Sequence, residues 1–120
     1  MQFLTSLPPS DNERFILSHG RMIKSSICRR YEKEAVPLIR MQTAKHKQFA
    51  PTFEHQVIMR YTVTLSDKRR DASNIEKILK DVLTMARVWN DDKWVCPQLQ
   101  HPIRIDAGAA SVWVDIDYAP

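Results

Sequence analysis

Nine residues, Val57 to Leu65, constrain the fold of this chain more than any other stretch. They are rich in β-formers, and Val57, Met59, Tyr61, Val63 and Leu65 share one face of a strand. A basic segment, Ser66 to Ala72, follows, and then a helix predicted from Asn74 to about Ala86. There Ile75, Ile78, Leu79, Val82, Leu83 and Ala86 recur at the spacing of one buried helical stripe. An alternating strand that runs through a short loop into an amphipathic helix calls for a sheet with that helix laid on it. Ser73-Asn74-Ile75-Glu76 has the form of a capping box, with Ser73 accepting from the Glu76 amide and the Glu76 carboxylate reaching back.

The rest of the chain fits an α+β fold with a small mixed or antiparallel sheet and two main helices. Gln2 to Thr5 reads as a short strand, stopped by Pro8-Pro9-Ser10-Asp11-Asn12. Ser18-His19-Gly20-Arg21 is a turn in which Gly20 is free to take positive φ, and Arg21 to Lys24 is a short strand after it. Ser25 or Ser26 caps a helix running to about Met41. Its expected apolar stripe is Ile27, Tyr31, Ala35, Leu38 and Ile39, and Pro37 is expected to kink or divide it. Ala44 to Thr52 reads as a polar connection. Val95 to Leu99, Ile103 to Ile105 and Ser111 to Tyr118 are strand candidates. The last places Val112, Val114, Ile116 and Tyr118 on one face, and Trp113, Asp115 and Asp117 on the other, toward solvent.

At 120 residues the chain is expected to form one domain, residues 1–120, with one modest core. Its longest apolar run is far too short to cross a bilayer, and no signal-peptide pattern opens it, so no membrane partner is expected. Cys28 and Cys96 match no metal spacing and read as reduced, buried thiols. His19, His46, His55 and His101 likewise show no metal spacing. The net charge of +4 is unevenly spread, because residues 1–52 hold nine Lys/Arg against four Asp/Glu. A basic first half over local acids in the second suits a polyanion partner. Arg14, Arg21, Lys24, Arg29, Arg30, Lys45 and Lys47 are candidates for that surface.

Two acidic positions carry the candidate chemistry. Lys68-Arg69-Arg70-Asp71 leads into the second helix, and Trp89-Asn90-Asp91-Asp92 follows it. Acids beside bases at a helix start can hold a divalent metal against a phosphodiester, the bases taking the flanking phosphates. Mg²⁺ needs only one to three carboxylates, and Lys77, one turn past Ser73, can stabilise developing charge. A helix of this length spans about 20 Å, so Asp71 meets Asp91 and Asp92 only if residues 87–92 fold back or a second subunit supplies one of them. The plainer reading of each acidic stretch is a solvated turn.

Four stretches in order resemble the RusA family of Holliday-junction resolvases. They are Pro8-Pro9-Ser10-Asp11-Asn12, Arg70-Asp71-Ala72-Ser73-Asn74-Ile75-Glu76-Lys77, Asp81-Val82-Leu83-Thr84, and Val88-Trp89-Asn90-Asp91-Asp92-Lys93-Trp94-Val95. The resemblance implies a small α+β homodimer that binds four-way DNA junctions and resolves them by paired nicks with Mg²⁺, or with Mn²⁺ in its place. It places the protein in DNA recombination and repair, in the cytoplasm of bacteria or encoded by a prophage. It implies Asp71, Asp91 and Asp92 as catalytic, metal-binding acids and Lys77 as the active-site lysine. Lys68, Arg69, Arg70, Asn74, Arg14, Arg21 and Lys24 become the DNA-binding set. One departure is central: Ser73 stands where the family has its second aspartate, and a hydroxyl is a poorer Mg²⁺ ligand than a carboxylate. Three accounts follow. Asp71, Asp91 and Asp92 suffice with Ser73 as a minor ligand; Glu76 replaces the lost acid; or the protein binds junctions without cutting them. Trp94 departs from the family pattern too, and reads as core or as a base-stacking platform.

Overall fold

The computed structural model describes residues 1–44, 56–65, 75–96, 103–105 and 110–118. Strand β4, Val57–Leu65, holds the fold together, as its alternation requires. Val57, Met59, Tyr61, Val63 and Leu65 are all buried. On one side β4 pairs antiparallel with β7, Ser111–Tyr118, which pairs antiparallel with β1, Gln2–Ser6. On its other side β4 pairs parallel with two short strands, β5 at Val95–Cys96 and β6 at Ile103–Ile105. The sheet is therefore mixed. Register puts Phe3, Val114 and Tyr61 in one inward row and Leu4, Trp113 and Thr62 in one outward row. Tyr118 was expected inward, but it is exposed at the end of its strand.

The inward face is covered by helices α1, Ser26–Thr43, and α2, Glu76–Met85. Ser25 is the N-cap of α1, its hydroxyl accepting from the Cys28 amide at 3.1 Å. The buried stripe of α1 is Cys28, Tyr31, Glu32, Ala35, Val36 and Ile39, whereas Ile27 and Leu38 are about half exposed. The expected stripe is thus rotated, because a carboxylate occupies one of its inward positions. Glu32 is tolerated there because Lys24 Nζ donates to it at 2.6 Å and the Cys28 thiol at 3.6 Å. Pro37 does not divide α1, which runs unbroken through it. Tyr31 and Ala35 on one side of the proline and Ile39 on the other are all in the core, which holds the helix together across the missing hydrogen bond. Both cysteines are free; Cys28 is buried as expected, while Cys96 is only partly so.

Between β1 and α1 lie a 3₁₀ turn, Asp11–Glu13, and a separate hairpin of β2, Phe15–Ser18, with β3, Arg21–Lys24. His19 and Gly20 take φ of 50° and 75°, the left-handed pair that a two-residue hairpin turn demands. The turn and β3 follow the sequence; β2 is an addition to it.

Candidate active site

Helix α2 runs from Glu76, and its first turn is held by a residue far away in the chain. Its N-cap is Ile75, whose side chain cannot accept a hydrogen bond. The free amides of the first turn are taken by Asp11 from the distant 3₁₀ turn: Oδ2 accepts from the Lys77 amide at 3.2 Å and Oδ1 from the Ile78 amide at 3.0 Å. The carboxylate supplies both the missing acceptors and a negative charge at the positive end of the helix. The Lys77 and Ile78 amides are thus engaged by an anion from within the chain, while the capping box expected at Ser73 lies outside the described residues.

Arg14, three residues after Asp11, makes a close ion pair with Asp81, one turn beyond Lys77. The guanidinium also lies over the Phe15 ring, 4.8 Å from its centroid. Lys77 and Asp81 are four residues apart on α2 and so share a face, while Ile78, Leu79, Val82 and Leu83 turn into the core. The segment from Asp11 to Arg14 thus grips the outer face of α2 at two points.

The other end of α2 closes differently. Arg87 takes φ of 60°, and its amide bonds to the Thr84 carbonyl at 3.0 Å, while the Val88 amide bonds to the Leu83 carbonyl at 3.0 Å. These two bonds form a Schellman motif with an arginine in the position that usually favours glycine. Arg40 of α1 adds a guanidinium on the Met85 carbonyl at 3.0 Å. The chain reverses at once. Val88 and Trp89 return to the core, and the fully buried Trp89 donates its indole N–H to Thr84 Oγ1 at 2.7 Å.

This reversal brings the second acidic stretch back beside the helix. Asn90, Asp91 and Asp92 line an open cleft of about 350 Å³ together with Asp81, Thr84 and Met85 of α2 and with Lys24. Asp91 caps a 3₁₀ turn, Asp92–Trp94, by accepting from the Lys93 amide at 2.9 Å. Asp91 and Asp92 are both exposed. Trp94 is partly buried under Lys93, whose Nζ lies 5.1 Å from its ring centroid. Among the described residues no three acidic, histidine or cysteine side chains converge as a metal would require. Lys68, Arg69, Arg70, Asp71, Ser73 and Asn74 lie outside the described residues.

Of the expected DNA-contacting bases, Arg14 is engaged by Asp81 and Lys24 by Glu32, each partly buried. Arg21 is exposed next to the hairpin turn. The sequence reading quoted Asp11 and Asp81 within motifs but assigned neither a task. Asp81 carried a signal: it sits four residues from Lys77 on α2, off the helix's apolar stripe. Asp11 carried none, because its partners are more than sixty residues away.

The chain matches the endodeoxyribonuclease RusA family over residues 6–116, nearly its whole length, and belongs to that family. Comparison with individual curated proteins gave no match. Membership makes the chain one of a group of DNA-cleaving hydrolases. No helix among the described residues is long and apolar enough to cross a membrane.

Proposed function

We propose that this protein is a divalent-metal-dependent, structure-selective endodeoxyribonuclease that resolves four-way DNA junctions by paired nicking, with two copies acting together. The observation that carries this reading is the cleft between α2 and the Asn90–Asp92 turn in a chain of this family. There two adjacent carboxylates are folded back against the helix that bears Lys77.

The donors suit Mg²⁺ or Mn²⁺. Asp91 has one carboxylate oxygen uncommitted, Asp92 is exposed, and such an ion keeps several waters and takes few protein ligands. Asp92, Asp91 and Asp71 would hold it, with Ser73 as a minor ligand. When bound, the ion supplies a polarised water and charge neutralisation at the scissile phosphate. The protein's own groups do the rest. Lys77 stands at the outer face of the first turn of α2, where its ammonium can stabilise charge developing on the phosphate. Lys68, Arg69, Arg70 and Asn74, with Arg21, hold the flanking backbone. Arg14 and Lys24, engaged by Asp81 and Glu32, fix the cleft walls. A homodimer sets two such sites against the two-fold symmetry of a junction.

The test is cleavage of a synthetic four-way junction with Mg²⁺. Asp92→Asn and Asp71→Asn are each expected to lower cleavage by roughly 10²-fold or more while leaving junction binding in EDTA unchanged. Full cleavage by both variants would remove these residues from the site.

A second reading rests on Ser73. With one acid fewer than the family pattern, the protein binds branched DNA in a salt-sensitive way without cutting it. Ser73→Asp then creates nicking that the natural chain lacks; good cleavage by the natural chain rules this reading out.

A further inference from the structure

Beside the cleft of Asp91 and Asp92 lies a second hollow that the reading above leaves without a task. It is an open groove of about 330 Å³ between α1 and the end of α2, lined by Arg29, Glu32, Lys33, Val36, Pro37 and Met85. Its size falls within the ~300–1,000 Å³ range of small-molecule sites. On α1, Arg29, Lys33 and Val36 follow at intervals of four and three, so they share one face. The groove thus has an apolar part, Val36, Pro37 and Met85, and a basic part, Arg29 and Lys33 on successive turns. Arg40 of α1 holds the end of α2 in place by donating to the Met85 carbonyl at 3.0 Å.

The charges in the groove are arranged for an anion. Arg29 and Lys33 are exposed, and among the described residues neither is in an ion pair. The one acid in the groove, Glu32, is buried and held by Lys24 at 2.6 Å. That partner offsets the repulsion the carboxylate would exert on a phosphate. Two free cations beside an uncharged apolar surface are the complement of a single nucleotide, one phosphate and one base. A duplex keeps its bases stacked and paired, so it offers such a groove only phosphates. A strand at a branch can offer a base as well.

The groove is also continuous with the candidate site. Met85 lines both hollows, and the Lys24–Glu32 pair joins them, Lys24 lining the cleft and Glu32 the groove. A DNA strand that crosses the cleft at Asp91 and Asp92 is led past the groove by its neighbouring nucleotides.

We propose that this groove takes one unstacked nucleotide of the strand that runs through the cleft, its base on Val36, Pro37 and Met85 and its phosphate between Arg29 and Lys33. This deepens the reading above and rests on it for the presence of branched DNA. It gives structure selectivity a physical basis in the chain, because only a strand free to unstack fills the groove.

The experiment uses the full chain in EDTA with synthetic four-way junctions carrying 2-aminopurine at each position around the branch in turn. No aromatic side chain lines the groove, so a fluorescent base seated there stays bright. The natural chain is expected to brighten one position several-fold. Arg29→Ala/Lys33→Ala, both exposed positions, is expected to leave that position dim at saturating protein, with unchanged far-ultraviolet circular dichroism. Its junction affinity is expected to be roughly tenfold weaker. Its log–log salt dependence should be shallower by about 0.7, the value for one single-strand phosphate. Arg29→Lys/Lys33→Arg, which keeps both charges, is expected to restore the slope. Brightening shared equally by the natural chain and the alanine variant overturns the proposal, as does an unchanged salt slope or the absence of any bright position. Nicking with Mg²⁺ is scored separately. A natural chain that brightens the junction through Arg29 and Lys33 and never nicks it overturns the nuclease reading alone.

Discussion

The two ends of helix α2 solve the same problem in opposite ways. At the C-terminal end the chain closes its own helix within three residues, by the Arg87 Schellman motif and the return of Trp89 to the core. At the N-terminal end closure comes from Asp11, more than sixty residues earlier in the chain. The first is local and forms with the helix. The second exists only once β1, the 3₁₀ turn and α2 have come together. The cleft is built at the local end, and Lys77 stands at the end that depends on tertiary contact. The placement of Lys77 therefore requires more than an intact helix.

Five measurements sharpen or break this contrast. The largest effect is expected at the local end. Trp89→Ala removes a fully buried indole and should cost about 3–5 kcal/mol by denaturant unfolding, releasing the Asn90–Asp92 turn with it. A loss below about 1 kcal/mol would mean that the turn is not anchored there.

Next comes alkaline pH, which probes the distal end. Burial first, then the carboxylates of Glu76 and Asp11, push the Tyr61 phenol up to about 12 from its ordinary 10. The folded state holds this proton more tightly than the unfolded chain. Its contribution is therefore complete below pH 10 and is lost as pH rises through 12, by about 2 kcal/mol. Tyrosinate absorbance followed alongside unfolding should show Tyr61 ionising late.

Third, Asp11→Ala strips the α2 cap and should cost about 1–2 kcal/mol, with frayed amides at Lys77 and Ile78 in hydrogen exchange. Asp11→Asn, which retains one acceptor, should lose less. An alanine variant with undiminished protection would show that the helix start does not need the distant carboxylate. Fourth, a double-mutant cycle with Arg14→Ala and Asp81→Ala should return a coupling of about 1 kcal/mol, modest because both side chains are partly exposed. Smallest, Arg87→Gly relieves a left-handed arginine and should stabilise the fold by about 0.5–1 kcal/mol in thermal melts.

The same division explains what the sequence disclosed. β4 and the inner face of α2 were legible because their burial follows the period of the element itself. The stripe of α1 was misplaced because Glu32 occupies an inward position, a polar residue made acceptable by Lys24 of another element. Pro37 misled for a related reason: propensity counts the lost hydrogen bond but not the core contacts on either side. β2 was missed because Phe15, Ile16 and Leu17 do not alternate with polar residues. In the site, the acidic turn at Asp91 and Asp92 was legible as a motif. Its return to the helix was one of two open possibilities, and the left-handed arginine that produces it carries no compositional signal. The grip of Asp11 and Arg14 on α2 depends on long-range contact and could not be read from local spacing. The Asp71 and Ser73 expectations lie outside the described residues.

The tight reversal after α2 has a consequence for how this chain can change in length. From Ala86 to Asp92 every residue has a fixed assignment: helix end, left-handed turn, two core anchors, then three cleft-lining side chains. A substitution there alters one of those assignments. An insertion between Trp89 and Asp91 alters the phase of the following residues, separating the carboxylates from their core anchor while the helix and its cap stay intact. The segment behaves as a ruler, so one added residue there should be far more damaging than one added at the His19–Gly20 turn.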